Sequence, residues 1–472
     1  MQSKFYLTTA IPYVNASPHI GHALEFVQAD CLARFYRMIG YDVYFSSGAD
    51  ENSLKNVQAA EKEGVGVQKL VDRYAKEFRN LKGAYNLTFD VFNRTSAKEH
   101  FIGAQTLWSL CKKEDIYKKT YRGLYCVGCE QFYLESEFDH GLCPEHLTKP
   151  EEVSEENYFF RLSSYQKILF DLIDKDRLKI VPGTRRNEIL SFIEQGLEDF
   201  SISRTRARAR GWGVPVPGDQ TQVMYVWFDA LVTYLTALGY PDSDLFDKFW
   251  TNNPNRVHVI GKGINRFHTV YWPAMLLSAG VQLPHEIFVH GYITVNGQKI
   301  SKSLGNTVNP FELVKKFGVD AVRYYLLREI PSWGDGDFSE KRFHDLYNGE
   351  LANGLGNLVA RVGRLASDTN LSLPPKKHFV FNKIVADNLR NYRFDLAILA
   401  IWDEISKLDK QINEERPWEL DGNALKNSIS PIAQQIREIA FNLSPFLSET
   451  AEKILSQFTG RIKMEKPLFP RI

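Results

Sequence analysis

Two histidines three residues apart, His19 and His22, open an apolar stretch in the segment Ser17-Pro18-His19-Ile20-Gly21-His22. On a helix they share one face. At a helix N-terminus they would stand where unpaired backbone N–H groups and the helix dipole favour an anion such as a triphosphate. Two imidazoles there can donate to phosphate oxygens as charge develops, and Gly21 removes a side chain where a flat base could approach the backbone. A capped helix with two surface histidines would leave the same pattern.

A second reactive segment is Lys299-Ile300-Ser301-Lys302-Ser303. It follows YITV-Asn296-Gly297-QK, where Asn-Gly between apolar residues predicts a tight hairpin. A lysine loop on a rigid hairpin can neutralise a leaving pyrophosphate, although a Lys/Ser-rich loop is more often plain solvated surface. A third is Cys126-Val-Gly-Cys129 followed by Cys143-Pro-Glu-His146. Two such pairs have the ligand set of a closed tetrahedral zinc site, structural rather than catalytic. The five cysteines are too few and too clustered for a disulfide scaffold.

The elements that must carry these residues follow from pattern. Residues 5–11 (FYLTTAI) are aromatic and β-branched and predict a buried strand, residues 12–17 a loop, and Ser17-Pro18 a helix start with Ser as N-cap and Pro at the first helical position. That helix should end near Gly40, and residues 41–50 should form a second strand. Strand, helix, strand opens a doubly wound nucleotide-binding sheet. A turn-rich, cysteine-bearing segment at about 117–150 reads as inserted, with helix from there to about residue 200. The strand VMYVWFDAL and the segment RVHVIGKG return to the α/β pattern. After about residue 345 apolar residues recur at three and four, as in Ile398, Trp402, Ile405, Leu408 and Ile412, which predicts a helix bundle.

HIGH at 19–22 with KISKS at 299–303 resembles the paired signature of class I aminoacyl-tRNA synthetases. TTAIPYVNASPHIGHALE, YVWFDALVTYL, FHTVYWPAML and FVHGYITVNGQKISKSLGN are similar to the methionyl-tRNA synthetases, over essentially the whole chain. The resemblance implies an α/β fold: a Rossmann-type, doubly wound parallel sheet in two halves (1–116 and 224–290), split by a connective insertion (117–223) with a zinc knuckle at 120–150. A KISKS-loop and stem-contact region (291–345) and an anticodon-binding α-helical bundle (346–472) complete it. It implies catalytic roles for His19, His22, Lys299 and Lys302, and ATP contacts from His19, Gly21, His22, Gly261, His290 and Lys302. Methionine would meet Ala10, Ile11, Tyr13, Asp50, Trp227, Ala230, Tyr234, Ile264, His268 and Trp272. Aromatic walls complement a soft thioether, Asp50 offers a charge to the α-ammonium, and Tyr13 and His268 could hydrogen-bond the sulfur. Asn357, Arg361 and Trp418 match anticodon-reading positions, which stack on and hydrogen-bond unstacked bases. From the residues alone Trp418 would be core.

Two positions depart from the family. KISKS stands for KMSKS, a volume-conserving change. Gly263 stands where GKDI has an acidic residue associated with the ATP ribose. Expected cofactors are one structural Zn²⁺ per chain, held by Cys126, Cys129, Cys143 and His146, and Mg²⁺ with ATP. Expected partners are tRNA(Met), the initiator included, ATP and L-methionine, for a monomer.

Bulk properties bound the rest. A net charge of +1 gives no whole-molecule attraction to RNA, so local basic patches must supply it. Arg204, Arg206, Arg208 and Arg210 alternate and would share one face of an extended chain, as a phosphate track or a solvated edge. No apolar run is long enough to span a bilayer, and the first residues lack the pattern of a signal or transit peptide. A cytoplasmic enzyme is expected, or one of the mitochondrial matrix if a presequence has been removed. A synthetase for valine, isoleucine or leucine would carry a larger editing insertion, and a small nucleotidylyltransferase would lack the bundle. A non-catalytic tRNA-binding paralogue is favoured by Gly263 alone.

Overall fold

A computed structural model describes residues 2–128, 131–133, 138, 141–144, 148–300 and 305–472. They fall into two compact units. The first runs to Pro18 and includes Gly40–Lys82 and Thr88–Val289; the second comprises His19–Ile39, Gly83–Leu87 and His290–Ile472.

The first unit is built on a six-stranded sheet of β1 (Lys4–Thr9), β2 (Asp42–Ala49), β3 (Val91–Arg94), β4 (Lys179–Val181), β5 (Arg256–Gly261) and β6 (Glu286–His290). Their order is β3-β2-β1-β5-β6-β4. The pairs β3–β2, β2–β1, β1–β5 and β6–β4 are parallel. Phe5 through Thr9 are buried without alternation, as expected of a parallel strand covered on both faces. At Gly48 a Cβ would lie 2.5 Å from the Asn93 carbonyl oxygen and 2.9 Å from Ile11, so a glycine is what lets β2 end against these neighbours. Chain order reverses at the β1/β5 junction, where open α/β sheets place their ligands.

The segment 117–223 differs from its sequence reading in three ways. Glu151–Phe160 is a strand and not helix: it pairs antiparallel with Ile116–Cys126 in a four-stranded sheet. Alternation of exposed Glu with buried Val153 and Phe159 is a half-buried strand pattern. Lys179–Val181, within the same segment, is β4 of the parallel sheet. VMYVWFDAL is only partly strand: Asp219–Met224 belongs to a small antiparallel sheet, and Val226–Leu231 is a helix. An apolar run buried all round has no periodicity with which to tell the two apart.

In the second unit, helix α1 (Ile20–Met38) is tied to later sequence by a fully buried ion pair, Asp30 with Arg323 at 2.8 Å. The Arg323 guanidinium also donates to the carbonyls of Tyr85, Pro445 and Phe446. The hairpin Ile293–Val295/Gln298–Lys299 turns at Asn296 and Gly297, both with positive φ, as its sequence predicts. Beyond it the chain is mostly helical and includes α2 (Asn357–Asp368), α3 (Phe394–Glu415) and α4 (Gly422–Leu443); after residue 345 the only strands among the described residues are the short pair Ser372–Leu373/Gly460–Arg461. The apolar stripe Ile398, Ile401, Ile405, Leu408 and Ile412 of α3 is buried. No described helix is long and apolar enough to cross a membrane.

Candidate active site

α1 begins at Ile20, with His19 as its N-cap, not Ser17. The imidazoles themselves do the capping. His19 Nδ1 accepts from the Gly21 N–H at 3.1 Å, and His22 Nδ1 accepts from the His19 N–H at 3.1 Å. The Ile20 amide donates to the Val308 carbonyl, and those of His22 and Ala23 to the His19 carbonyl. The leading amides of the helix are therefore taken, and an anion would have to be met by the side chains. With each Nδ1 accepting, each ring carries its proton on Nε2, a donor in both cases. The rings stack with centroids 3.9 Å apart. His22 is half-buried as a residue, and the protein packed around it, and then His19, hold its imidazole well below the usual histidine range. His22 is a neutral donor. Gly21 serves this arrangement, because a Cβ there would lie 2.9 Å from the His19 ring.

Of the other residues assigned to ATP, His290 meets α1. His290 Nε2 lies 2.9 Å from Glu25 Oε2, and its Nδ1 is 2.7 Å from the Gly291 carbonyl. Glu25 escaped the sequence reading, although it stands three residues after His22 on α1. Gly261 ends β5 in the first unit, and Lys262–Ile264 make a single turn in which Gly263 is exposed. Lys302 lies outside the described residues, as does the side chain of Lys299.

The residues assigned to methionine all fall in the first unit. Asp50 is 2% exposed. Its N–H donates to the Pro12 carbonyl, its carbonyl accepts from Val14, and it forms a parallel bridge with Tyr13. The Tyr13 ring meets Trp227 edge-on at 6.3 Å, and Trp227 stacks on Phe267 at 3.7 Å. Phe267 joins these rings although the sequence reading passed over it; its only signal is its place beside His268. Tyr234 packs against His268 and Trp272. Ala10, Ala230, Tyr234, His268 and Trp272 are buried, while Ile11, Tyr13 and Ile264 are half-buried.

Hydrogen bonding sets the polarity of this pocket. His268 Nδ1 is 2.9 Å from the Ile264 carbonyl, which can only accept, so the proton is on Nδ1. Nε2 then accepts from the Tyr234 hydroxyl at 2.6 Å. Burial lowers the His268 pKa to about 4, so the ring is neutral. Its single N–H is committed, and in this arrangement it cannot donate to a thioether. The indole N–H groups of Trp227 and Trp272 are buried with no acceptor among the described residues.

Of the four proposed metal ligands, Cys129 and His146 lie outside the described residues. Cys126 and Cys143 are both buried and both meet Thr148: Cys126 Sγ is 3.9 Å from its hydroxyl, and the Cys143 N–H donates to its carbonyl at 2.9 Å. The arginine series is not an extended track. The chain turns between Arg206 and Gly211, with the Gly211 N–H on the Arg206 carbonyl at 2.9 Å. Arg204 is buried against Tyr125 and Tyr225, Arg208 pairs with Glu151 and Arg210 with Glu61, leaving Arg206 exposed.

At one end of the bundle, Asn357 and Arg361 stand one turn apart on α2. Arg361 donates to Asp409 at 2.5 Å and to Asn413 at 2.9 Å, both in the last turns of α3. Trp418 follows three residues after α3 ends, on a short turn begun by Arg416 in the left-handed region, and it is 47% exposed. It is not a core residue.

A family model for class I tRNA synthetases (M) matches residues 5–150 and 146–363. The chain is 41% identical to a methionine–tRNA ligase of Brucella suis, over 96% of this chain and 91% of that one. It is 40% identical to the Thermotoga maritima methionine–tRNA ligase, over 98% and 76% respectively. Among solved structures, a Mycobacterium tuberculosis methionyl-tRNA synthetase in complex with methionyl-adenylate superposes with a TM-score of 0.92 at 37% identity, covering all of both chains.

Proposed function

The chain belongs to the class I methionyl-tRNA synthetases, ligases that join methionine to its tRNA using ATP, and from that premise we propose how its residues divide the reaction. The first unit selects methionine. Asp50 takes the α-ammonium, and the aromatic enclosure of Trp227, Tyr234 and Trp272 takes the thioether, with Ala10, Ile11, Tyr13, Ala230, Ile264 and His268 completing the wall. The tautomer of His268 gives it a supporting part, to accept the Tyr234 proton and so fix that hydroxyl. ATP contacts are assigned to Gly261 on the first unit and, on the second, to the residues around the start of α1. The Nε2–H groups of His19 and His22 donate to phosphate oxygens as the methionine carboxylate attacks the α-phosphorus. Gly21 keeps the His19 ring in place, His290 and Glu25 shape the nucleotide contact, and Lys299 and Lys302 offset the charge of the leaving pyrophosphate. ATP is taken with Mg²⁺, which supplies further charge on that leaving group. The methionyl group then passes to the terminal 2′-hydroxyl of tRNA(Met), initiator or elongator, whose anticodon is read by Asn357, Arg361 and Trp418.

The observation that carries this reading is a buried carboxylate, Asp50, joined through Tyr13 to an aromatic, neutral pocket. A free amino acid with a soft apolar side chain is the ligand such a pairing fits. Methionine-dependent ATP–pyrophosphate exchange is the test. Exchange driven by methionine well above leucine or isoleucine is expected, and its absence overturns the assignment. Within this reading the fold is a doubly wound sheet with a connective insertion, in a cytoplasmic monomer. Cys126, Cys129, Cys143 and His146 are proposed to hold one zinc. Burial of Cys126 and Cys143 around Thr148, together with a three-sulfur, one-nitrogen donor set, supports a structural ion that orders the knuckle. Elemental analysis of unchelated protein should find one zinc per chain.

A further inference from the structure

Four consecutive polar residues after β2, Asp50 to Ser53, are all buried. Such a run is stable only where each group finds partners. Glu51 is held by Arg94 at 2.6 Å and by the Ser96 amide at 3.0 Å, and Ser53 caps the helix Leu54–Glu63. Asn52 works in two directions. Its backbone N–H donates to the Asp50 carboxylate, to Oδ1 at 3.3 Å. Its side-chain Nδ2 donates to the Thr95 carbonyl at 3.0 Å and to Asp229 Oδ2 at 2.5 Å, which occupies both of its hydrogens.

Asp229 is fully buried on the helix that carries Trp227 and Ala230, and its Oδ1 has no partner among the described residues. Burial pushes its carboxyl up to about 8, so at neutral pH it is largely protonated. A polar pair of this kind in an apolar surround is a poor filler, since apolar residues of the same size would avoid its desolvation. It is well suited to fixing one geometry.

We propose that Asn52 and Asp229 are positioning residues for Asp50: Thr95 and Asp229 lock the Asn52 side chain, and the Asn52 amide thereby aims the Asp50 carboxylate at the α-ammonium of methionine. Because Asp229 shares its helix with Trp227 and Ala230, the same contacts set the separation between the site of the ammonium and the site of the thioether. An amino acid is thus measured between two fixed ends. The inference rests on Asp50 being the ammonium partner.

The test compares binding of methionine with that of 4-(methylthio)butanoate, which lacks the amine, to the full chain. Asn52→Ala should weaken methionine about tenfold, the equivalent of one hydrogen bond to a charged group, and leave the analogue nearly unchanged. Asp229→Leu should do the same. Asp229→Asn keeps an acceptor for Asn52 and mimics the protonated acid, so it should bind methionine as the parent does. Should Asn52→Ala fail to fold, Asn52→Leu removes the same donor at nearly constant size and adds no charge. In an Asp50→Asn background, Asn52→Ala should cost nothing further. Equal weakening of both ligands, or a loss in Asp229→Asn as severe as in Asp229→Leu, overturns the proposal while leaving Asp50 in place. Asp50→Asn binding methionine as tightly as the parent would instead remove the premise, and the proposal with it.

Discussion

The pocket around Asp50 and the bundle end around Arg361 are both read as binding sites, and they are built in opposite ways. In the pocket, Asp50, Tyr234, His268 and Trp272 are buried, and their hydrogen bonds run mostly among themselves and to the backbone. At the bundle end Asn357 and Trp418 are exposed, and among the described residues Arg361 is held by two partners on α3, Asp409 and Asn413. A ligand the size of methionine makes few contacts, so each must be placed in advance if near neighbours are to be refused. An anticodon brings bases that stack and a backbone that adds charge, so side chains that remain accessible suffice. Substitutions should accordingly be severe and ligand-specific in the first region, and graded in the second.

The sharpest way to break this contrast is Asp50→Ala. Removing the sole charge proposed for the ammonium should weaken methionine by two orders of magnitude or more, about 3 kcal/mol, as for a truncated buried charge pair. Equilibrium binding measures it, with the analogue that lacks the amine as control. A loss below tenfold would mean that the pocket is not organised around Asp50.

The pocket unit should also be the more acid-sensitive. His100, His258 and His268 lie in the first unit, and burial lowers each pKa, to about 3 for His100, about 4 for His268 and well down for His258. A histidine whose folded pKa lies below its unfolded value of 6.5 lends its full stability above pH 6.5. That stability is lost as pH falls from there towards 4. Asp229 has the opposite sign, since its raised pKa works against folding as pH climbs from 3.8 to about 8. Three histidines outweigh one acid, so Tm of the first unit should fall by several degrees between pH 6.5 and 4.5. Calorimetry that shows the second unit melting first in acid would contradict this.

How far each region could be read from sequence follows the same physics. β1 and β2 are legible because each carries a short aromatic and apolar core, Phe5-Tyr6-Leu7 and Val43-Tyr44-Phe45, bounded by polar and turn residues. The Asn296-Gly297 hairpin is legible because few residues accept positive φ. Glu151–Phe160 is hard to tell from helix because its polar residues outnumber its apolar ones, and Val226–Leu231 is hard to tell from strand because it is buried on all sides. At the site, residue types pointed to a pair of histidines, but not to imidazoles capping their own helix. That depends on Nδ1 geometry at the helix start, two residues after the Ser17 cap that the pattern predicts. Likewise, alternation in Arg204–Arg210 suggests one face only if the chain stays extended, and it turns. Trp418, core by residue type, is exposed because Arg416 ends α3 in the left-handed region and redirects the chain.

At the bundle end Trp418→Ala is the first test. Stacking of one base on an indole contributes about 1–3 kcal/mol, so aminoacylation efficiency should fall by roughly ten- to a hundredfold. Methionine-dependent pyrophosphate exchange needs no tRNA and should be unchanged. Damage to exchange and aminoacylation alike would make Trp418 a structural residue despite its exposure.

The smallest effect expected, and the most discriminating, is that of Asp409→Ala. Asp409 Oδ1 accepts from Arg361 at 2.5 Å while its Oδ2 accepts from Asn413 at 3.2 Å, so one carboxylate orients both. The side chains of Arg361 and Asp409 are 25% and 42% exposed, and pairs so placed contribute only about 0–1 kcal/mol to folding. Thermal stability should barely move. RNA recognition should change in two directions. Loss of a negative charge beside the bases favours any polyanion, so binding of tRNA with a non-CAU anticodon should tighten about two- to threefold at low salt. Loss of the orienting acceptor frees the Arg361 guanidinium, so binding of the CAU anticodon should weaken by about the same factor. Filter binding of the two tRNAs, repeated at higher salt to suppress the charge effect, separates these contributions. If cognate and non-cognate affinities shift together at every salt concentration, Asp409 is only a surface charge and Arg361 does not read the anticodon through it.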